Sequence, residues 1–360
     1  LAKKDVFTID GEVVQIIGRE LLDWYNRNRR DLPWRKDQDP YKIWVSEIML
    51  QQTRVDTVIP YFQRFIEQFP TLDDLAEAPE EQVIKAWEGL GYYSRVKNLH
   101  AAVKEVSAHY GSRVPDDLET ISKLKGIGPY TAGAVLSIAY NKKAAAVDGN
   151  VMRVFSRLFV LTDDIALAST RKKMEHIALQ LIPEDAPGDF NQALMELGAL
   201  ICTPSSPQCL FCPLQSVCNA YAEGIEEELP RKKKTKPPKR MDMVMLWLTQ
   251  DERALVEKRP DEGLLAGMWG LPTIHLAEAK DSLDEARRYC DKNGLDVTNV
   301  TIAGKFEHIF SHQHWKVTVL RGDVKRADDS TSSALTWMSA QQIKDKPFSN
   351  VYRKALQLFI

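Results

Sequence analysis

Apolar positions recur at three- and four-residue spacing through the first two thirds of the chain. Between Glu12 and Ala222 the pattern predicts helix after helix, over 41–68, 81–88, 95–110, 130–140, 151–160, 170–182 and 190–201, with Pro, Gly and Asp between them. Residues 223–240 break the rhythm: GIEEELP and then RKKKTKPPKR mix acid, base and proline with no apolar period, which predicts a linker. Beyond it MVMLWLT and WKVTVLRG read as strands, DSLDEARRYCDKNG as a helix and AGMWGLP as a loop. The expectation is an all-α domain, a linker and a smaller α+β domain. At 360 residues the chain is too long for one ordinary core, which agrees with that division.

Composition narrows the class. Apolar residues make up 44% of the chain, yet no uninterrupted apolar run approaches the ~20 residues that span a bilayer. The start, LAKKDVFTID, has no apolar stretch after its lysines, so neither a signal nor a transit peptide is expected, and a cytoplasmic, reducing setting follows. A formal net charge of −2 gives no global preference for a polyanion. Local basic groups, Arg27, Arg29, Arg30, Arg35 and Lys36 and the run from Arg231 to Arg240, read either as solvated faces or as contacts for an anionic partner.

Four of the five cysteines fall within seventeen consecutive residues, Cys202, Cys209, Cys212 and Cys218, spaced C-x6-C-x2-C-x5-C. Four thiolates so close together can wrap one metal centre, and soft sulfur favours an iron–sulfur cluster or zinc. Zinc sites usually pair two short knuckles, whereas only Cys209 and Cys212 are closely spaced here. The iron–sulfur reading therefore leads, ahead of zinc and of disulfides.

Two further stretches carry candidate chemistry. In LKGIGPYTAGAVLSIAY, Gly126 and Gly128 let the backbone turn with its amides outward before Pro129 starts an apolar helix. Such amides suit a phosphate oxygen, as in a helix-hairpin-helix element, although Gly-x-Gly also occurs in ordinary helix connections. Glu47, in YKIWVSEIMLQQTRV, has Ile43, Trp44 and Leu50 as helical neighbours. A carboxyl group set there keeps its proton near neutral pH, as a general acid must; the alternative is an exposed helix glutamate. Asp148, in VDGN before an amphipathic stretch, reads on its own, like Asn150, as a helix cap.

With Glu47, LQQTRV, Gly89-Leu90-Gly91-Tyr92-Tyr93-Ser94-Arg95, the VDGN turn and the cysteine run in this order, the chain closely resembles the bacterial MutY family of adenine DNA glycosylases, within the helix-hairpin-helix, iron–sulfur superfamily. The resemblance covers nearly the whole length. It implies a mainly α helix-hairpin-helix glycosylase domain with an iron–sulfur cluster loop over 1–222, made of a six-helix barrel at 34–140 and a cluster-containing subdomain from 1–33 and 141–222. A linker at 223–240 and a smaller α+β, Nudix-like lesion-recognition domain at 241–360 complete it.

The same resemblance implies one [4Fe-4S] cluster on the four cysteines, double-stranded DNA containing adenine:8-oxoguanine mispairs as substrate, a monomer, and a nucleoid-associated place in a bacterial cytoplasm. Glu47 would protonate adenine at N7, Asp148 would stabilise an oxocarbenium-like sugar, and Asn150 and Tyr130 would support Asp148. Trp34 and Arg35 would line the pocket for the extruded base, Gln52, Thr53 and Tyr92 would engage the duplex beside the lesion, and Phe310, Ser311 and His312 in FEHIFSHQHW would inspect 8-oxoguanine.

Tyr130 stands where endonuclease III-like glycosylase/lyases carry a Schiff-base lysine, and a phenol forms no imine, so excision without strand cleavage is expected. Lys125, beside the hairpin, could give only slow adventitious cleavage. The C-terminal stretch lacks the Arg-Glu-x2-Glu-Glu cluster of a Nudix hydrolase, which argues against diphosphate hydrolysis. His308, His312 and His314 could suggest a metal site, but no set of acidic or thiol partners is expected around them, which disfavours it. TPSSPQ, between Cys202 and Cys209, has no Lys or Arg, unlike many family members, so phosphate contact by that loop is not expected. The rival readings are a bifunctional glycosylase/lyase and a non-catalytic iron–sulfur DNA-binding protein.

Overall fold

The computed structural model describes residues 7–233, 236–277, 281–327 and 334–360. The first six residues of the N-terminal stretch, and Lys234 and Thr235 within the basic run, lie outside the described residues. Two compact units emerge, Leu1–Glu77 with Lys97–Lys234, and Ala78–Val96 with Thr235–Ile360.

Helices come first along the chain: α1 Gly11–Asn28, α2 Pro40–Leu50, α3 Val55–Gln68, α4 Leu72–Glu77, α5 Glu80–Ala86, α6 Ser94–His109, α7 Leu118–Ile121, α8 Pro129–Tyr140, α9 Gly149–Leu158, α10 Ala168–Leu181, α11 Pro187–Leu200 and α12 Asn219–Glu223. Short polar side chains start several of them. Asp10, Asp39 and Asp148 each accept a backbone N–H of the first turn, of Glu12, Tyr41 and Val151 respectively. The apolar period over 41–68 does not give one helix. Polar Gln51–Arg54 turns the chain between α2 and α3, and Gln52, at φ 58°, takes a left-handed conformation that no helix continues through.

The first unit's core gathers Ile17, Leu21 and Tyr25 of α1, Phe155 of α9, Met174 and Ile177 of α10, and Phe190 and Leu194 of α11. Fully burying a large apolar side chain contributes about 1.5–3 kcal/mol, and this shared core holds the two ends of the unit's sequence together. Against it, α8 is set by backbone contact. A Cβ at Gly133 would lie 1.8 Å from the Ala145 carbonyl oxygen, so only glycine admits the irregular segment that leads to Asp148. Asn191, fully buried on α11, secures the same segment: its Nδ2 donates to Ser137 Oγ at 2.9 Å and to the Ala144 carbonyl at 2.8 Å, and its Oδ1 accepts from Ala146 N–H at 3.3 Å.

The second unit is built on strands β1 Lys239–Gln250, β2 Arg253–Lys258, β3 Trp269–Gly270, β4 Thr273–Leu276, β5 Leu295–Ile309, β6 Gln313–Ala327 and β7 Leu335–Ser339. Helices α13 Ser282–Lys292, α14 Ala340–Asp345 and α15 Asn350–Leu356 complete it. The main sheet path is β3-β2-β1-β6-β5, with β4 on β1 and β7 on β2; β1 and β6 are parallel. Central β1 is buried on both faces, so its residues alternate between two cores. Met243, Met245 and Trp247 pack with Val351, Tyr352 and Leu356 of α15. Val244, Leu246 and Leu248 pack with Ala286 and Cys290 of α13, which makes the fifth cysteine a core residue. AGMWGLP, expected as a loop, contributes the two residues of β3, because Trp269 and Gly270 pair with Lys258 and Glu257.

Gly133→Ala should destabilise the protein by roughly 1–3 kcal/mol, the usual cost of overpacking, because the Cβ meets backbone that cannot rotate away. Thermal or denaturant unfolding checks this, and an unchanged midpoint would show that α8 is free to shift.

Candidate active site

One cavity of about 650 Å³ in the first unit is lined by Trp34, Arg35, Glu47, Gln52, Thr53, Gly126, Gly128, Tyr130, Asp148 and Asn150. Three turns of structure deliver them. Helix α2 carries Glu47 inward between Ile43 and Leu50. The hairpin ahead of α8 places Gly126 at φ 82°, where a Cβ would also stand 2.7 Å from Asn98 Cβ, and presents Tyr130 in the first turn of the helix. The segment against Gly133 ends in Asp148, the N-cap of α9.

Glu47 is 5% exposed, which removes the reading of an exposed helix glutamate. Burial pushes its carboxyl up to about 7; the Tyr130 hydrogen bond and the Arg35 charge pull the other way, and the Asp148 charge adds to the rise. The Tyr130 hydroxyl donates to Glu47 Oε2 at 2.5 Å and also lies 3.2 Å from Met195 Sδ. The Tyr130 hydroxyl thus bonds Glu47, while the Asp148 that the family resemblance paired it with acts on it through its charge, because the first turn of α8 faces α2.

Asp148 is held by Val151 N–H at 2.8 Å and by Asn150 Nδ2 at 3.0 Å. Burial raises its pKa, while these donors favour the anion. Capping and presentation of charge are thus one arrangement: one oxygen caps α9 and the other is held by Asn150. Arg153 extends the chain of contacts, donating to Asn150 Oδ1 at 2.9 Å, to the Gly198 carbonyl at 2.7 Å and to the Cys202 carbonyl at 2.7 Å.

The cysteine loop follows α11. Cys202, Cys209, Cys212 and Cys218 line one small cavity with Arg157, whose NH1 donates to Cys202 Sγ at 3.2 Å. Arg157 is almost wholly buried and also binds the carbonyls of Thr203 at 2.7 Å and Leu229 at 3.0 Å. Four sulfurs around one cavity, with a fixed guanidinium to balance thiolate charge, fit a sulfur-ligated cluster. Among the described residues, no three His, Cys, Asp or Glu side chains converge closely enough to hold a single ion.

In the second unit, β5 and β6 form a hairpin closed by Phe310 N–H donating to the Gln313 carbonyl at 2.7 Å. Phe310 packs edge-on to His308 at 4.5 Å and to Trp315 at 5.0 Å, leaving Ser311 and His312 exposed at the tip. Ser311 Oγ lies 3.2 Å from the Tyr92 hydroxyl, to which it donates. His314 does have an acidic neighbour, contrary to the reading from sequence: Glu307 Oε2 stands 2.8 Å from its Nε2, brought there diagonally by the strand register.

The comparisons fit this geometry. The model of the HhH-GPD superfamily of base excision DNA repair proteins matches residues 45–184, and that of the NUDIX domain matches 243–358. The adenine DNA glycosylase of Mus musculus is 34% identical over 94% of this chain and 77% of its own length. The chain belongs to the adenine DNA glycosylase family. The relative from Buchnera aphidicola subsp. Schizaphis graminum is 30% identical over 96% of this chain and 99% of its own. A solved thermostable thymine-DNA glycosylase superposes with TM-score 0.53 at 32% identity, covering 59% of this chain and 98% of that one. As in its family, the substrate is DNA. The family's proteins are generally iron–sulfur proteins, in keeping with the cysteine loop. No helix among the described residues is long and apolar enough to cross a membrane.

Other residues that line this cavity escaped the sequence reading. Glu196 on α11, 1% exposed, binds Arg30 Nε at 2.8 Å and Arg35 NH2 at 3.0 Å; despite its burial these bonds hold its carboxyl down to about 2. Gln192 Oε1 accepts from Arg35 Nε at 3.1 Å. The guanidinium of Arg35 is thereby locked over the Tyr25 ring, at 5.6 Å. A glutamate inside the apolar run DFNQALMELGAL was the available signal, since a buried charge demands partners.

Glu47 should titrate near pH 7 when followed by carboxyl-carbon NMR, and Tyr130→Phe should raise that midpoint by removing a bond that favours the anion. A midpoint near the ordinary glutamate value would contradict the burial argument.

Proposed function

We propose that the protein excises adenine paired with 8-oxoguanine or guanine in duplex DNA by hydrolysis, leaving an abasic site and an uncut strand. The observation that carries this reading is Glu47: a buried carboxylic acid raised to about 7, facing Asp148 across one cavity. The cavity, about 650 Å³, is of a size that takes a flipped nucleoside.

In this mechanism protonated Glu47 gives its proton to N7 of the bound adenine. The N-glycosidic bond then breaks, its electron pair goes to adenine N9, and the base leaves neutral. Positive charge develops on the sugar, where the Asp148 carboxylate, whose anion the Asn150 and Val151 N–H donors favour against the effect of burial, stabilises it. Water adds to the anomeric carbon, and the proton it loses restores the acid. Tyr130 orients Glu47 and, having no amine, leaves the sugar unattached to the enzyme.

Trp34, whose ring is buried edge-on against Phe62 at 5.5 Å, and Arg35, fixed by Glu196, shape the adenine pocket. Gly126 and Gly128 turn backbone amides toward a DNA phosphate. Gln52 and Thr53 follow α2 into the duplex. Tyr92 enters as a wedge, and Phe310, Ser311 and His312 read the base opposite the adenine. Gln52 at φ 58° and Tyr92 at φ 49° both hold a left-handed backbone, a conformation costly for residues with a Cβ. We assign one [4Fe-4S] cluster to Cys202, Cys209, Cys212 and Cys218, where it would tie the loop that Arg153 and Arg157 also grip. Its contribution is structural, since hydrolysis needs an acid and a charge stabiliser and transfers no electron.

A duplex with adenine opposite 8-oxoguanine should yield strand breaks only after alkali treatment, and Glu47→Gln should lower excision at least ~10²-fold, the usual share of a general acid, while duplex binding persists. Breaks without alkali would indicate a lyase; no breaks in either case would remove the enzymatic reading. The purified protein should be brown and contain iron and sulfide, with loss of iron when Cys209 is replaced by Ser, whereas zinc alone would overturn the cluster assignment.

A further inference from the structure

Residues Ala78–Val96 sit in the middle of the sequence matched by the glycosylase family, yet they pack with Thr235–Ile360. The cause is a set of charged and polar contacts along α5 and the turn after it. Glu81 accepts from Trp269 Nε1 at 2.6 Å and from Lys346 Nζ at 2.8 Å. Lys85 Nζ donates to the carbonyls of Lys344 at 2.6 Å and Lys346 at 2.9 Å. Glu88 has a side chain only 9% exposed; it accepts from Phe348 N–H at 2.9 Å, and its Oε2 pairs with Lys85 at 2.8 Å and Arg353 at 3.2 Å. Asn350 Nδ2 then reaches the carbonyl of Gly89 at 3.1 Å.

The chain beyond Glu88 is wound tightly. Gly89 at φ 104°, Gly91 at φ 73° and Tyr92 at φ 49° all take left-handed conformations, and the Gly91 carbonyl accepts from Trp87 Nε1 at 3.3 Å and Arg95 NH2 at 3.2 Å. Arg95 also lies over the rings of Trp87 at 5.4 Å and Tyr92 at 5.6 Å. The loop has little freedom of its own, so where its base is fastened decides where its tip stands. Its tip is Tyr92, 47% exposed, with its hydroxyl against Ser311.

We propose that Glu88 is a positioning residue that fastens the Gly89–Tyr93 loop to the C-terminal body, so that Tyr92 and the Phe310–His312 hairpin tip meet the DNA as one rigid element and choose the base opposite the adenine together. This rests on the glycosylase reading of Tyr92 and Ser311 given above. It goes further, because Glu88 and Arg353, neither of which lines the cavity around Glu47, become determinants of specificity. A carboxylate that satisfies a backbone amide and two cations is a demanding fit, and loss of such charge-assisted bonds lets the loop base shift.

The experiment compares native protein, Glu88→Ala and Arg353→Gln on two duplexes, adenine opposite 8-oxoguanine and adenine opposite guanine, with 2-aminopurine beside the pair as a stacking probe. Native protein without excision on either duplex would defeat the functional reading itself, independently of Glu88. With native excision present, Glu88→Ala should reduce the 8-oxoguanine-over-guanine rate ratio roughly tenfold, the scale of a lost charge-assisted hydrogen bond, and lower the 2-aminopurine signal in the complex. Arg353→Gln should act in the same direction and less strongly, and it decides the matter if Glu88→Ala does not fold. In combination with Ser311→Ala the ratio should fall no further than with Ser311→Ala alone. If both rates drop equally and the ratio stays native in the folded variants, Glu88 serves stability alone and the proposal fails.

Discussion

A carboxylic acid held out of water is the constraint around which the first unit is organised. Glu47 can keep a proton near pH 7 only if water is excluded and no cation neutralises its charge too well. Ile43 and Trp44, almost wholly buried, supply the dry side. The Tyr130 hydroxyl satisfies one oxygen without adding charge, and the Asp148 carboxylate across the cavity pushes the proton onto Glu47. In the proposed mechanism the same negative charge that favours the acid form stands opposite a cationic sugar, so one pair of groups would serve two requirements.

Arginine is kept under control throughout. Arg30 and Arg35 are both claimed by Glu196, which brings a basic cluster to the pocket wall while compensating its charge. Without that buried carboxylate, Arg35 would favour the Glu47 anion more strongly than it does and weaken the acid further. Arg153 and Arg157 are spent on backbone carbonyls of the cysteine loop and its surroundings, so their charge faces sulfur and main chain. Arg153 in addition reaches Asn150, which places the loop and the carboxylate at the start of α9 within one hydrogen-bonded chain.

The second unit solves a different problem, the presentation of a hairpin tip and a tyrosine. Its double-faced sheet is rigid because β1 is covered on both sides, and β6 pairs with β1 along eleven positions from Lys239–Gln313 to Thr249–Asp323. The tip is short, and the Lys239 N–H donates to the His312 carbonyl at 3.1 Å, tying it to the start of that central strand. The segment bearing Tyr92 joins this body through Glu81 and Glu88, although the sequence assigns it to the helical region.

The local sequence determined a good deal. Most of the helical periodicity, a cap at Asp148, the Gly126-x-Gly128-Pro129 turn and the gathering of four cysteines are short-range properties that the structure bears out, although 41–68 divides into two helices. A carboxyl group among Ile43, Trp44 and Leu50 also foretold the raised pKa of Glu47, since burial follows from helical phase. What tertiary structure alone decided were pairings over long separations: Tyr130 with Glu47 rather than Asp148, Glu196 with Arg30 and Arg35, and Ala78–Val96 with the C-terminal unit. Hydrogen bonds and ion pairs of that kind depend on which faces meet in space. Periodicity says that a face is buried, but it does not say against what.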